Sequence, residues 1–128
     1  METLIESTKD FERDLEKFNN KEKFKIVKKL NRYVEILSKN KTFLDKQAFK
    51  LKEIKLSDDY DSSLYALIID KDIRLIVTID DDPIFDTTVV TLFRVVNTED
   101  ASKAYNSVAE SLYQDFSVKH QEIEVSSS

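Results

Sequence analysis

The hydrophobic period of this 128-residue sequence changes once, and that change restricts the folds open to it. Up to Lys39 the apolar residues recur at three- and four-residue steps. Phe11, Leu15 and Phe18 mark one short face. Phe24, Val27, Leu30, Val34 and Leu37 mark a longer one, broadened by Ile26, Tyr33 and Ile36. This is the spacing of amphipathic helices that each bury one side. From Phe49 onward the apolar residues alternate or run together, and β-branched residues dominate, as in half-buried or fully buried strands. A chain that is helical first and extended afterwards is an α+β domain, with the helices laid on a sheet.

The local signals agree. Leu4 to Ser7 reads as a short first strand. Ser7-Thr8-Lys9-Asp10 has the form of a capping box, a hydroxyl residue followed three later by an acid. Asn19-Asn20 interrupts the helical pattern, and Asn20 is suited to cap the second helix; so short a link predicts an antiparallel helical hairpin. Phe49 and Leu51, then Ile54 and Leu56, alternate in shifted phase, which predicts a bulged strand. Leu64–Ile69, Ile73–Ile79 and Thr88–Val96 are further strands. Asp70-Lys71-Asp72 is a tight turn, and Asp80 to Asp86 a longer acidic one holding Pro83, the only proline. Asn97-Thr98-Glu99-Asp100 precedes a last helix in which Ala101, Ala104, Val108 and Leu112 share a face. Consecutive hairpins make the sheet antiparallel. The length suits one domain, assigned to residues 1–116, followed by a polar tail at 117–128.

Three absences exclude classes of function. With no glycine there is no phosphate-cradling Walker loop and no dinucleotide fingerprint. With no cysteine there is no disulfide framework, thiol nucleophile or cysteine-held zinc. His120 is the single histidine, so a multi-histidine metal centre cannot be built. Asp80, Asp81, Asp82 and Asp86 are oxygen donors, but they lack the spacing of a calcium loop, and no metal is expected. The acidic first residues do not form a secretory signal, and no apolar run reaches membrane-spanning length; the cytoplasm is the expected compartment.

The net charge of −5 conceals an asymmetry. Residues 1–56 hold 15 Lys and Arg against 10 Asp and Glu, whereas residues 57–128 hold 5 against 15. Lys21, Lys25, Lys28 and Arg32 follow helical spacing on one face of the second helix. Such polarity lets one face attract an acidic partner or nucleic acid while the other receives a basic segment.

The order strand, helix, helix, then a meander of strands resembles that of the RelE/ParE toxin superfamily, across Thr3 to Leu112. Lys50-Leu51-Lys52 resembles the family's basic segment entering the sheet. Leu64–Asp70 and Asp72-Ile73-Arg74-Leu75-Ile76 resemble its hairpin, with Arg74 at the position of the hairpin's arginine. Val95–Tyr105 resembles its terminal segment, where a strand gives way to a turn and then a tyrosine. The resemblance implies an N-terminal strand and helical hairpin on an antiparallel four- to five-stranded sheet, with a C-terminal helix. It implies the toxin of a toxin–antitoxin pair: a ribosome-dependent mRNA interferase held silent by a cognate antitoxin, with ribosome and mRNA as targets and no small-molecule cofactor.

Metal-free RNA cleavage requires a base for the 2′-hydroxyl, an acid for the leaving oxygen and cations for the added charge. The resemblance gives Arg74 and Tyr105 the catalytic roles, and Lys50, Lys52 and Arg94 the nucleic-acid contacts. The sequence departs from the pattern at two places. Thr98-Glu99-Asp100 stands where a basic turn belongs, and Ala66 and Ile68 stand where exposed lysines belong. Those departures suit the alternative reading, a relative that cuts no RNA and acts by binding protein, as a ParE-like gyrase poison or a degenerate toxin.

Overall fold

The computed structural model of the protein describes residues 2–39, 48–49 and 63–113. Its elements are β1 (Glu2–Ser7), α1 (Lys9–Glu16), α2 (Asn20–Lys39), β2 (Ala48–Phe49), β3 (Leu64–Ile68), β4 (Ile73–Asp82) and β5 (Thr87–Asn97). A 3-10 turn, Thr98–Asp100, leads into a last helix, α3, over residues 101–113. The α+β class and the element order expected from the sequence are those of the structure. The rest of the bulged strand expected after Phe49, and the tail, lie outside the described residues.

Five strands form one sheet in the order β1-β5-β4-β3-β2. The meander β2 to β5 is antiparallel, as its hairpins require. β1 instead joins the far side in parallel, Glu2 opposite Thr87 through Ser7 opposite Leu92. The two helices carry the chain from β1 to β2 at the opposite edge, and β2 to β4 then lead back to β5, so β1 and β5 are neighbours without being consecutive.

Both faces of the sheet are covered, which explains the unbroken apolar runs in its strands. Phe11, Ile26, Leu30 and Tyr33 of the hairpin pack on Leu67, Ile73, Leu75, Val77 and Val95. Ala101, Ala104, Tyr105, Val108 and Ala109 of α3 pack on the other side, against Leu64, Ala66, Ile76 and Val96. Neighbouring residues thus serve opposite cores: Leu64 and Ala66 face α3, Leu67 faces the hairpin.

Four sequence expectations shift in detail. The acidic turn expected over Asp80 to Asp86 is shorter, because Asp80, Asp81 and Asp82 pair with Val89, Thr88 and Thr87 as the end of β4. The cap of α1 is Thr8 rather than Ser7. Its Oγ accepts the Phe11 N–H at 3.2 Å and donates to the carbonyls of Leu92 and Phe93, because Ser7 is still paired within β1. The cap of α2 is Asn19 rather than Asn20: Asn19 Oδ1 accepts the Glu22 N–H at 2.8 Å, and Glu22 returns a carboxylate to the Asn19 N–H at 3.3 Å. The inward stripe of α2 is Ile26, Leu30, Tyr33 and Leu37. Phe24 lies about 160° round the helix from Ile26 and is 69 % exposed, and Val27 is exposed with it.

The glycine-free hairpin turn is built from a carboxylate. Asp70 Oδ1 accepts the N–H groups of Asp72 and Ile73 at 2.8 and 3.0 Å, and Asp70 Oδ2 receives Lys25 Nζ at 3.1 Å. Partial burial on its own would raise the Asp70 pKa, but the Asp72 N–H, the Lys25 ammonium and the Ile73 N–H outweigh it and hold the carboxyl below its ordinary value. A depressed carboxyl contributes stability above the unfolded-chain pKa and loses it as pH falls through the folded value. Asp70→Ala is therefore expected to lower stability by about 1 kcal/mol at pH 7, mostly through the two turn bonds. Urea titrations at neutral and strongly acidic pH check this: the gap between wild type and variant narrows at low pH.

Candidate functional site

β5 carries a bulge that decides where its arginine goes. Val77 lies opposite Leu92, yet Ile76 lies opposite Arg94, so Phe93 is the extra residue. Without it, Arg94 would continue the inward series Val90 and Leu92 into the apolar core. With it, Val95 takes the inward place and Arg94 is half-buried toward α1.

There Arg94 meets Asp14, an acid that is only 4 % exposed. Arg94 Nε donates to Asp14 Oδ2 at 2.5 Å and Nη2 to Oδ1 at 3.1 Å, a two-pronged pairing that matches the planar guanidinium. Asp14 Oδ2 also accepts the Val95 N–H at 3.1 Å. Because β1 ends opposite Leu92, no strand among the described residues flanks Val95 on that side, and the carboxylate takes the acceptor's place. The bond to Asp14 raises the Arg94 pKa above its ordinary value, against a smaller opposing effect of burial.

Beside this pair, between α1, the end of β5 and α3, lies an open cavity of about 500 Å³. Its charged lining is Asp14, Lys17, Glu22, Arg94, Asp100 and Lys103. Three cations stand against three anions, and Arg94 is already bound by Asp14. The balance does not favour a polyanion, whose binding rests on excess positive charge.

The other sequence candidates are dispersed. Arg74 is the second residue of β4 and is half-buried; its Nη1 donates to the carbonyl of Asp70 and, at 3.1 Å, to that of Ile73, so it closes its own turn. Tyr33, on α2, donates its hydroxyl to the Ile68 carbonyl at 2.5 Å nearby, and burial raises its pKa despite the Arg74 charge, which lowers it. Tyr105 is 0 % exposed, and its hydroxyl donates to the Leu64 carbonyl at 2.6 Å. Arg74 pairs with Ile68 on β3, four residues from Leu64, or about 13 Å along the strand at its usual rise. Arg74 and Tyr105 therefore do not converge. Lys50 and Lys52 lie outside the described residues. Glu99 and Asp100 are exposed in the turn before α3.

Sequence reasoning missed Asp14. The available signal was an acid on the helix face that also carries Phe11, Leu15 and Phe18, where an unpaired charge would be costly. Its partner depends on the bulge, which no short motif announces. Among the described residues no group of three acid or histidine side chains is placed to hold a metal ion. No helix among them is long and apolar enough to cross a membrane.

No family model and no curated protein matches this sequence. Among solved structures, the chain is similar to one in the crystal structure of the archaeal RelE–RelB complex from Pyrococcus horikoshii OT3. The identity is 15 % and the TM-score 0.48, over 76 % of this chain and 96 % of the other. A likeness of that size assigns neither family nor activity.

Proposed function

We propose that this chain is a RelE/ParE-type protein of a toxin–antitoxin pair that acts in the cytoplasm by binding protein and does not cut RNA. The order of strand, helical hairpin and antiparallel meander supports the first half of that reading. One observation carries the second half. The three candidate catalytic or RNA-contacting side chains among the described residues are all engaged inside the fold: Tyr105 on the Leu64 carbonyl, Arg94 on Asp14, and Arg74 on its own turn. An acid–base group needs to reach its proton, and a phosphate clamp needs a free cation. The exposed acids Glu99 and Asp100 add repulsion where a phosphorane would form.

In a translating extract the purified protein is expected to leave mRNA intact, and Arg74→Ala to behave identically, as read by primer extension. Cuts within translated codons that vanish in Arg74→Ala would instead establish the mRNA interferase reading. A cognate antitoxin is the partner this proposal requires. Its counterpart test is rescue of a growth defect by the neighbouring small gene.

A further inference from the structure

The described surface carries two apolar patches of opposite charge, at opposite ends of the molecule. The first is the outer face of α2. Phe24 and Val27 are 69 % and 44 % exposed there, one helical turn apart. Lys21, Lys28 and Arg32 are exposed around them, and Lys28 Nζ sits 5.9 Å from the centre of the Phe24 ring. No acid among the described residues forms an ion pair with these three cations.

The second patch is the β4–β5 turn. Ile84 and Phe85 are its tip, 84 % and 75 % exposed, the highest of any large apolar side chains described. The tip is a built structure: Asp82 Oδ1 accepts the Ile84 and Phe85 N–H groups at 3.0 and 3.4 Å, and Asp86 adopts a left-handed backbone with φ of 51°. Asp80, Asp81 and Asp86 are exposed around it, and Glu2 is anchored beside it through its N–H on the Asp86 carbonyl at 3.1 Å.

These patches cannot meet within one molecule. Lys25, next to Phe24, is tied to Asp70 just before β4 begins, whereas the tip lies just after β4 ends. The ten residues of β4 set them about 30 Å apart. Each patch has the complement the other lacks: two apolar side chains ringed by cations, and two ringed by carboxylates.

We infer that a second copy of this chain is the occupant, with the Ile84–Phe85 tip of one copy seated on the Phe24–Val27 face of α2 of the other. In the arrangement inferred, the two copies are set antiparallel, so that the contact is made twice and the pair closes as a two-fold dimer. The apolar residues supply the burial, and the facing charges select the orientation and speed the encounter. The inference goes beyond the toxin–antitoxin reading and does not depend on it, since it concerns the chain alone.

The test is the mass in solution. Light scattering after gel filtration is expected to give twice the 15.0 kDa chain mass at high protein concentration. Raising salt from roughly 0.05 M to 0.5 M should shift the equilibrium at least several-fold toward monomer, because exposed charges are then screened. Two variants break the two halves: Phe24→Glu with Lys28→Glu on α2, and Ile84→Ser with Phe85→Ser on the tip. Each alone should raise the dissociation constant at least tenfold, with far-ultraviolet circular dichroism unchanged, since all four side chains are exposed. Mixed one to one, they should regain association, because the mixture restores one intact tip and one intact face. A wild-type chain that stays monomeric up to about 1 mM, the range of the weakest specific contacts, overturns the inference. So does a dimer indifferent to either variant, or a mixture that recovers nothing.

Discussion

Asp14→Ala is expected to destabilise the fold by about 3 kcal/mol, the cost of removing one partner of a buried ion pair. Two groups are stranded at once. Arg94 keeps a charge that cannot be neutralised, in a place where its side chain is 29 % exposed. The Val95 N–H, which lies past the end of β1, loses its acceptor. Some exposure of Arg94 keeps the cost toward the lower end of the range for such pairs. Urea unfolding measures it, and a second variant identifies its source. In Asp14→Ala with Arg94→Met the uncompensated charge is gone, so the double variant should be more stable than Asp14→Ala alone. Equal stability would mean that the Val95 N–H or lost packing, not charge, accounts for the effect.

Tyr105→Ala is expected to cost a similar amount, about 4 kcal/mol, for a different reason. Tyr105 is the largest fully buried side chain among the described residues, and it fills the layer between α3 and the sheet with Leu64, Ala66 and Ile76. Truncation leaves a cavity that the surrounding small residues of α3, Ala101, Ala104 and Ala109, do not fill. Tyr105→Phe separates the ring from the hydroxyl. It keeps the packing and leaves the Leu64 carbonyl without this donor, at about 1–2 kcal/mol. Thermal unfolding of both variants checks the ratio. If Tyr105→Phe proved as stable as wild type while abolishing an RNA cleavage activity, the hydroxyl would serve catalysis and not the fold.

What the sequence made legible is what periodicity and turn chemistry encode. The helical hairpin, the strand runs and the Asp70 turn follow from the spacing of apolar residues and from a carboxylate placed at a turn. The rotation of α2 was less legible, because Phe24 and Val27 satisfy the same three- and four-residue spacing as residues that turn inward. Two overlapping stripes run through that helix, and only the sheet chooses between them. The parallel pairing of β1 was not legible at all, since hydrophobic spacing in a strand gives its faces but not its neighbour. The candidate site was read by resemblance of short segments, and that method is blind to a one-residue bulge. Phe93 changes the direction of Arg94 without changing any motif around it. Tyr105 shows the same limit: a tyrosine in the first turns of α3 has the same letter whether its hydroxyl meets solvent or the Leu64 carbonyl.

The parallel strand has a consequence for how the chain is made. Thr8, just past the end of β1, bonds to the carbonyl of Leu92, 84 residues later. On a ribosome β1 emerges before β5, yet among the described strands β5 is its neighbour in the sheet and the latest of them in the chain. The helices can form while the chain is still growing, but β1 must wait for β5, and the sheet closes only once β5 has been made. A nascent chain stalled before Thr87 would hold a hairpin whose apolar face, Ile26, Leu30 and Tyr33, has only part of its sheet to cover it. In that interval the growing polypeptide is most open to chaperones and proteases, and a premature stop codon in the β5 region would remove the fold altogether rather than shorten it.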